Sequence, residues 1–232
     1  MSGKPKSSPA RSRPAKPRKK VFIVEDHKVF REGLVQILKG EPDLVVCGQA
    51  GSAAQAMRAI PGLDPELILV DITLPGKTGL ELIKEVRAVN RKVKMLVVSN
   101  HDEALYADRV LRAGGDGYIM KQEDPEEIIN AIRDVLEGRI YVSEEVMAAS
   151  QTTPHNGGSK TKSRSLDLLT DVELEILELL GRGRSDQEIA RQLGLAEPAV
   201  VTHAKRIKSK LKMKTTNALV RYAVCWIEGD AK

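Results

Sequence analysis

Between residues 20 and 145 short apolar runs alternate with amphipathic stretches of helical period, and this alternation constrains the fold more than any other feature of the chain. The runs at 21–24, 67–70 and 95–98 are too short for buried helices and show no polar alternation, so they read as strands covered on both faces. Strands separated by helices pair in parallel through right-handed crossovers, which puts helices on both sides of one sheet. The spacing predicts helices over 28–39, 52–60, 79–89, 103–113 and 125–137. Pro125, preceded by Glu123 and Asp124, suits the first turn of the last of these, and Gly138 suits the position just past its end. The expected architecture is α/β, a five-stranded parallel, doubly wound sheet.

In such a sheet the strand ends deliver chemistry to one edge. Here the run at 21–24 delivers Glu25 and Asp26, the run at 67–70 delivers Asp71, the run at 95–98 delivers Ser99, and the run at 118–120 delivers Lys121. Magnesium takes oxygen ligands and keeps several waters, so Asp26 and Asp71 suit it, with Glu25 as a direct or water-mediated partner. Lys121 and the Ser99 hydroxyl can hold phosphoryl oxygens while the Asp71 carboxylate attacks phosphorus to form an acyl phosphate. Taken singly, each of these residues could equally be an ordinary solvated strand end; the joint pattern is the informative feature.

That pattern resembles the receiver domains of two-component response regulators. The matching residues are Glu25 and Asp26, Asp71 with Pro75 and Gly79 after it, Ser99, the stretch Ala113-Gly114-Gly115-Asp116-Gly117-Tyr118, and Lys121. The resemblance spans roughly residues 20–142 and implies a flavodoxin-like sheet, phosphorylation of Asp71 by a sensor histidine kinase, and catalysis by Asp71, Ser99 and Lys121. It further implies Ser99 and Tyr118 as the switch pair, and Mg2+ held by Glu25, Asp26, Asp71 and Thr73. Gln122 stands where many receivers have proline, so a cis peptide is not expected there. A phosphohydrolase using Asp71 as nucleophile is disfavoured, because Thr73 stands where a second acid or base two residues on would be needed. The expected protein is therefore not an enzyme beyond its own phosphoryl transfer and its hydrolysis.

After residue 143 the periodicity fades, and residues 151–165 contain no aliphatic side chain, which reads as a flexible linker. From Leu169 onward the pattern is helical only. Thr170 caps an apolar run through Leu174, Ile176, Leu177, Leu179 and Leu180, ended by Gly181 and Gly183. Ser185 with Glu188 has capping-box spacing before a short second helix with Ile189, Ala190 and Leu193 inside. A turn at Gly194-Leu195-Ala196 leads to a third helix over 197–212, and a fourth starts near Thr216. The third helix carries Lys205, Arg206, Lys208, Lys210 and Lys212, and no acid occurs from Pro198 to Ile227, so the segment reads as a helix-turn-helix.

This segment resembles the four-helix output domain of NarL/FixJ (LuxR-type) regulators. The matches are Leu169-Thr170, Glu175-Ile176-Leu177, Leu180, Gly183, Ser185, Glu188-Ile189-Ala190, Leu193, Val200, His203, Ile207 and Lys210-Leu211. The resemblance places Val201, Thr202 and Lys205 toward the DNA groove and gives the fourth helix a dimer contact; Lys208 and Lys212 of the basic third helix are expected as further DNA-binding cations. Three positions depart from the family: Ala196, Ala199 and Val201 replace the usual Ser, Thr and Lys. Ala196 removes a helix N-cap, which costs about 0.5–2 kcal/mol, and Val201 can touch a thymine methyl but cannot bond phosphate or guanine. His203 is read as a packed structural histidine, and His27 and His101 as flanking groups with no catalytic role.

Length, composition and charge fit this division. At 232 residues with 41% hydrophobic content the chain can build two cores, and 3% aromatic content makes them aliphatic. Residues 1–20 hold eight Lys or Arg and no acid, residues 21–145 hold 15 basic against 22 acidic, and residues 146–232 hold 14 against 10. The expected organisation is a disordered basic tail over 1–19, a receiver over 20–142, a flexible linker over 143–166 and a DNA-binding domain over 167–232. Cys47 and Cys225 lie in different domains and no disulfide is expected; no run approaches a membrane span, so a cytoplasmic location is expected. The resulting reading is a response regulator whose phosphorylation controls homodimerisation and binding to double-stranded DNA, the output domain being freed from the receiver so that a buried recognition face can reach DNA. The alternative is a phosphorylation-dependent scaffold whose degenerate output domain no longer binds DNA, kept alive by the groove substitutions.

Overall fold

The computed structural model describes residues 17–151 and 165–229. Five strands, β1 (Lys19–Val24), β2 (Leu44–Ala50), β3 (Leu67–Val70), β4 (Lys94–Ser99) and β5 (Gly117–Met120), form one parallel sheet in the order β2-β1-β3-β4-β5. The helices between them are α1 (Lys28–Lys39), α2 (Ala53–Leu63), α3 (Gly79–Val89), α4 (Glu103–Ala113) and α5 (Pro125–Leu136). Alternate strand residues separate the two faces. Val21, Ile23, Leu67, Leu69, Leu96 and Val98 pack with α1 and α5, while Phe22, Val24, Ile68, Val70, Met95 and Val97 pack with α2, α3 and α4. Every one of these is buried, as the unbroken apolar runs require.

The expected helices occur with small shifts. Helix α2 continues past Pro61 to Leu63, and Asp64 ends it in a left-handed conformation with φ 46°. No cis peptide occurs among the described residues. Lys19, placed in the tail from sequence, is the first residue of β1, and residues 1–16 lie outside the described residues.

The stretch read as a flexible linker is partly ordered. Helix α6 (Glu144–Gln151) occupies its beginning and packs on α4, Ser143 accepting from the Val146 backbone N–H at its start. Leu166 at its far end is buried, as is Leu169 just beyond it. Residues 152–164 of the linker lie outside the described residues.

Four helices make the C-terminal domain: α7 (Asp171–Gly181), α8 (Asp186–Leu193), α9 (Glu197–Lys210) and α10 (Thr216–Gly229). Thr170 with Glu173 and Ser185 with Glu188 form full capping boxes at α7 and α8. Gly194, at φ 63°, ends α8 in the left-handed conformation a tight turn needs. Helix α9 starts without a side-chain cap at Ala196 and carries Pro198 in its first turn. The core of the domain joins Ile189, Leu193, Val200, Ile207, Leu219, Ala223 and Trp226 to α7, and it is continuous with the α2–α4 side of the sheet.

Helix α7 differs from an ordinary surface helix. Its apolar residues Leu174, Ile176, Leu177, Leu179 and Leu180 are buried, and so are Glu173, Glu175 and Glu178 between them. A helix buried all round needs a partner on every side, and the receiver supplies the second partner. The C-terminal domain docks on the α3–α4 side: Asp171 pairs with Lys84 at 2.9 Å and Arg109 at 3.2 Å, and Arg109 also donates to the carbonyls of Leu166 and Leu169. The turn of the helix-turn-helix rests on the loop after β3, where the Gly76 N–H donates to the Leu193 carbonyl at 3.0 Å. A Cβ on Gly194 would stand 2.7 Å from the Gly76 nitrogen, so this contact admits no side chain.

Candidate functional site

The ends of β1, β3, β4 and β5 bring Glu25, Asp26, Asp71, Ser99 and Lys121 to one edge of the sheet, on the switch side of strand order where β1 separates β2 from β3. Asp71 is buried, 4% exposed, and its Oδ2 accepts from Lys121 Nζ at 2.8 Å. The same ammonium lies 2.6 Å from Glu25 Oε2 and over the ring of Phe30. Burial pushes the carboxyls of Asp71 and Glu25 up from their ordinary values, against the pull of Lys121. Burial also works against the Lys121 ammonium, but the two carboxylates outweigh it and hold its pKa above the usual lysine value. The lysine therefore stays charged at the point where phosphoryl oxygens would arrive.

Close packing fixes the backbone at Asp71. The Gly79 N–H donates to the Ile72 carbonyl at 2.7 Å, and a Cβ at Gly79 would fall 2.0 Å from the Asp71 carbonyl oxygen. Glycine is required at this helix start because the Asp71 main chain lies directly against it. The capping box of Thr78 with Glu81 then begins α3.

Glu25, Asp26, His27 and Asp71 each present a ligand atom within 4.8 Å of the others. Asp26 Oδ1 is buried and has no hydrogen-bond donor; His27 Nδ1 approaches to 2.9 Å without hydrogen-bond geometry. An orphaned carboxylate oxygen facing two further carboxylates is a donor set for a hard divalent cation, so these residues fit magnesium. The Thr73 hydroxyl lies 2.7 Å from His101 Nε2, so its side chain is already engaged away from the acidic cluster.

The two residues expected to form the switch pair sit inside the core. Ser99 is fully buried, and its Oγ accepts from the His101 N–H at 3.3 Å. Tyr118 is also fully buried and its hydroxyl donates to the His101 carbonyl at 2.6 Å, so the ring is turned inward. His101, read from sequence as a flanking group, is the junction of this network. Its main chain meets Ser99 and Tyr118, its Nε2 meets Thr73, and its Nδ1 lies 2.5 Å from Glu178 Oε2 of α7. Nothing in the local sequence around His101 signals this, because the partner lies 77 residues away in the other domain.

The third helix is presented differently. Val201, Thr202, Lys205 and Arg206 are exposed, whereas Val200 and Ile207 pack inward. Thr202 Oγ1 donates to the Pro198 carbonyl at 2.8 Å. Lys208 is half-buried and its ammonium donates to Thr216 Oγ1 at 3.1 Å, tying α9 to α10. Lys212, expected within the helix, lies beyond its end in a left-handed backbone conformation at φ 55°. His203 is partly buried with Nδ1 lacking a hydrogen-bond partner. The expectation that the docked receiver masks the recognition face does not hold: the receiver covers α7 and the turn, and the outward face of α9 is open. Cys47 is half-buried and Cys225 exposed, both free, and no helix of the described residues is long and apolar enough to cross a membrane.

A receiver sheet with its acidic edge, followed by a four-helix helix-turn-helix domain, defines a class of signalling proteins, and the comparisons agree. Residues 21–133 match the response regulator receiver domain, and residues 167–223 match the bacterial regulatory proteins of the luxR family. The chain is 32% identical over 200 residues to the nitrate/nitrite response regulator protein NarL of Escherichia coli, covering 84% of this chain and 90% of that protein. It is 36% identical over 197 residues to the DNA-binding transcriptional activator DevR/DosR of Mycobacterium tuberculosis, covering 84% and 89%. Its fold is similar to that of RcsB from Salmonella enterica serovar Typhimurium, solved bound to promoter rprA in the presence of the phosphomimetic BeF3−, with TM-score 0.61, 22% identity, and coverage of 89% and 98%. The chain belongs to the NarL/FixJ family of two-component response regulators, with a LuxR-type DNA-binding domain that regulates transcription.

Proposed function

We propose that Asp71 is the residue phosphorylated, with a sensor histidine kinase as donor, and that phosphorylation promotes homodimers that bind double-stranded DNA. The observation that carries this reading is the buried triangle of Asp71, Glu25 and Lys121 beside the orphaned oxygen of Asp26. A carboxylate so placed attacks phosphorus, a new O–P bond forms as the bond to the donor breaks, and the result is an acyl phosphate on Asp71. Lys121 moves from its carboxylate partners to the incoming phosphoryl oxygens, and the Ser99 hydroxyl donates to another. Glu25, Asp26 and Asp71 would hold Mg2+, with Thr73 contributing through its backbone carbonyl since its hydroxyl is engaged with His101. When bound, the cation neutralises charge between the acceptor and the anionic donor. This self-phosphorylation and its hydrolysis are the only chemistry assigned to the chain.

For DNA, Val201 and Thr202 face the groove, and the exposed Lys205 and Lys212 lie where phosphates run. The dimer contact is assigned to α10. RcsB, captured on promoter DNA with a phosphomimetic, has the same fold and supports this reading. Two measurements test it together: intact mass after treatment with a small phosphodonor, with and without magnesium, and selection of bound sequences from random DNA by each form. Phosphorylation only with magnesium, and enrichment of paired half-sites by the phosphorylated form, are expected. If no sequence is enriched by either form, the DNA-binding role fails and the scaffold reading replaces it.

A further inference from the structure

The two domains close on α7 but leave a cleft of about 580 Å3 between them. The start of α4 and the end of β5 form its receiver wall, α7 and α10 form the opposite wall, and the start of α6 completes the lining. Clefts of this size hold small molecules, and domain interfaces are a preferred place for them. The lining is mixed, as such a site requires. Leu105, Met120, Val146 and Ile227 are only partly covered by the core, and the Trp226 ring stands with them, so docking leaves apolar surface for an apolar body to cover. The charges select the kind of ligand. Arg182 is the one cation among the described lining residues, and its guanidinium is already held by Glu178 Oε1 at 2.5 Å, while Glu178 Oε2 faces His101. Asp102 Oδ1 accepts from the Ala104 N–H at 2.8 Å and Glu103 Oε1 from the Ser143 N–H at 2.7 Å, but among the described residues neither carboxylate meets a cation. An anion entering here meets repulsion, whereas a cation finds carboxylate oxygens and an aromatic ring in one partly desolvated space.

We propose that this cleft is a binding site for an amphipathic organic cation, its apolar body against Trp226, Ile227, Leu105 and Met120 and its ammonium or amidinium end at Asp102 and Glu103. Both domains supply walls, so the ligand binds the docked arrangement and adds its own binding free energy to it. The position is also close to the chemistry. Asn100 follows Ser99 in the chain, and Met120 and Gln122 stand on either side of Lys121, so an occupant rests against the neighbours of the hydroxyl and the ammonium of the Asp71 pocket. The site itself does not depend on which residue is phosphorylated.

The experiment uses the full chain, whose single tryptophan is Trp226 on the cleft wall. Its fluorescence is titrated at fixed ionic strength with three probes that share one apolar body: phenylbutylammonium, the neutral phenylbutanol and the anionic phenylbutyrate. Saturable binding is expected in the order ammonium, alcohol, carboxylate, with the ammonium roughly tenfold tighter than the alcohol, as a partly desolvated cation beside an aromatic ring implies. The double variant Asp102→Asn, Glu103→Gln keeps both hydrogen-bond acceptors and removes both charges. It is expected to bind the alcohol as before and to lose the preference for the ammonium. Ala104→Phe, which fills the cleft from α4, should weaken all three probes. Arg109→Ala removes the bonds to Leu166, Leu169 and Asp171 that hold the domains together and lies outside the cleft, so it should weaken all three by one common factor. Equal affinity for the three probes, no saturable binding of the ammonium, an ammonium preference that survives the double variant, or undiminished binding to Ala104→Phe or Arg109→Ala overturns the proposal.

Discussion

The Asp71 pocket and helix α9 are the two candidate functional surfaces, yet they are built on opposite plans. In the pocket rigid strand ends set the charged groups in place against one another; Lys121 alone meets Asp71, Glu25 and the Phe30 ring. On α9, Val201, Thr202 and Lys205 project from an uncapped helix into solvent, and of the helix's cations Lys208 is tied to Thr216 and Lys210 to Glu173. A preorganised pocket tolerates little change, because each group orients the next. An exposed reading surface acquires its contacts only from the partner, so its substitutions add or remove increments.

The sharpest test of that contrast is Asp71→Asn, which is expected to abolish phosphorylation by a small phosphodonor with magnesium, as intact mass would show. Undiminished modification at another residue would break the comparison, since the pocket would then not be specific. Next in size, Trp226→Ala removes a buried ring shared by α10 and α7 and should lower the stability of the output domain by about 3–5 kcal/mol in denaturant unfolding. On the reading surface the effects are smaller. Val201→Lys restores a cation at an exposed groove position and is expected to tighten DNA binding by about 1–3 kcal/mol in titrations at fixed salt. Lys205→Ala should reduce the slope of log affinity against log salt by about 1, and Lys208→Ala by less, because Lys208 is tied to Thr216. Smallest, Ala196→Ser supplies the missing cap of α9 and should stabilise the domain by about 1 kcal/mol. A loss instead would mean Pro198 already imposes a helix start that a capping side chain disturbs.

A pH dependence follows from Glu173. Burial raises its pKa, but Lys210 at 2.6 Å and the Thr170 cap outweigh this and the net shift is downward. A carboxyl lowered on folding contributes stability that is present above its unfolded pKa and is lost as pH falls through the folded one. Unfolding measured across the acid range should therefore show the α7–α9 contact weakening below the ordinary glutamate pKa, and Lys210→Ala should flatten that slope.

The parts legible in sequence and the parts hidden from it follow the same division between local and distant. Strand ends are local: an apolar run that stops at Asp71 or Lys121 declares both the strand and the group it delivers. Gly79 is legible as a motif residue, but the reason for it, the Asp71 carbonyl oxygen 2.0 Å from where a Cβ would stand, arises only in the folded chain. Helix α6 escaped notice because its eight residues carry little apolar periodicity and gain their order by packing on α4. The docking residues Glu175, Glu178, Asp171, Lys84 and Arg109 were missed because a charged residue on an amphipathic helix is normally a solvent-facing one. One signal was present: the apolar residues 174, 176, 177, 179 and 180 wrap more than one face of α7, which a helix with a free side does not do.

The open face of α9 in the docked arrangement has a kinetic meaning. Docking leaves Lys205, Arg206 and Lys212 exposed, so attraction to the DNA backbone persists in the resting protein. A resting molecule can therefore slide and hop along the chromosome before any signal arrives. If phosphorylation pairs two copies, as proposed, it acts on a population already resident on DNA, and the time to respond is set by pairing two neighbours rather than by a three-dimensional search.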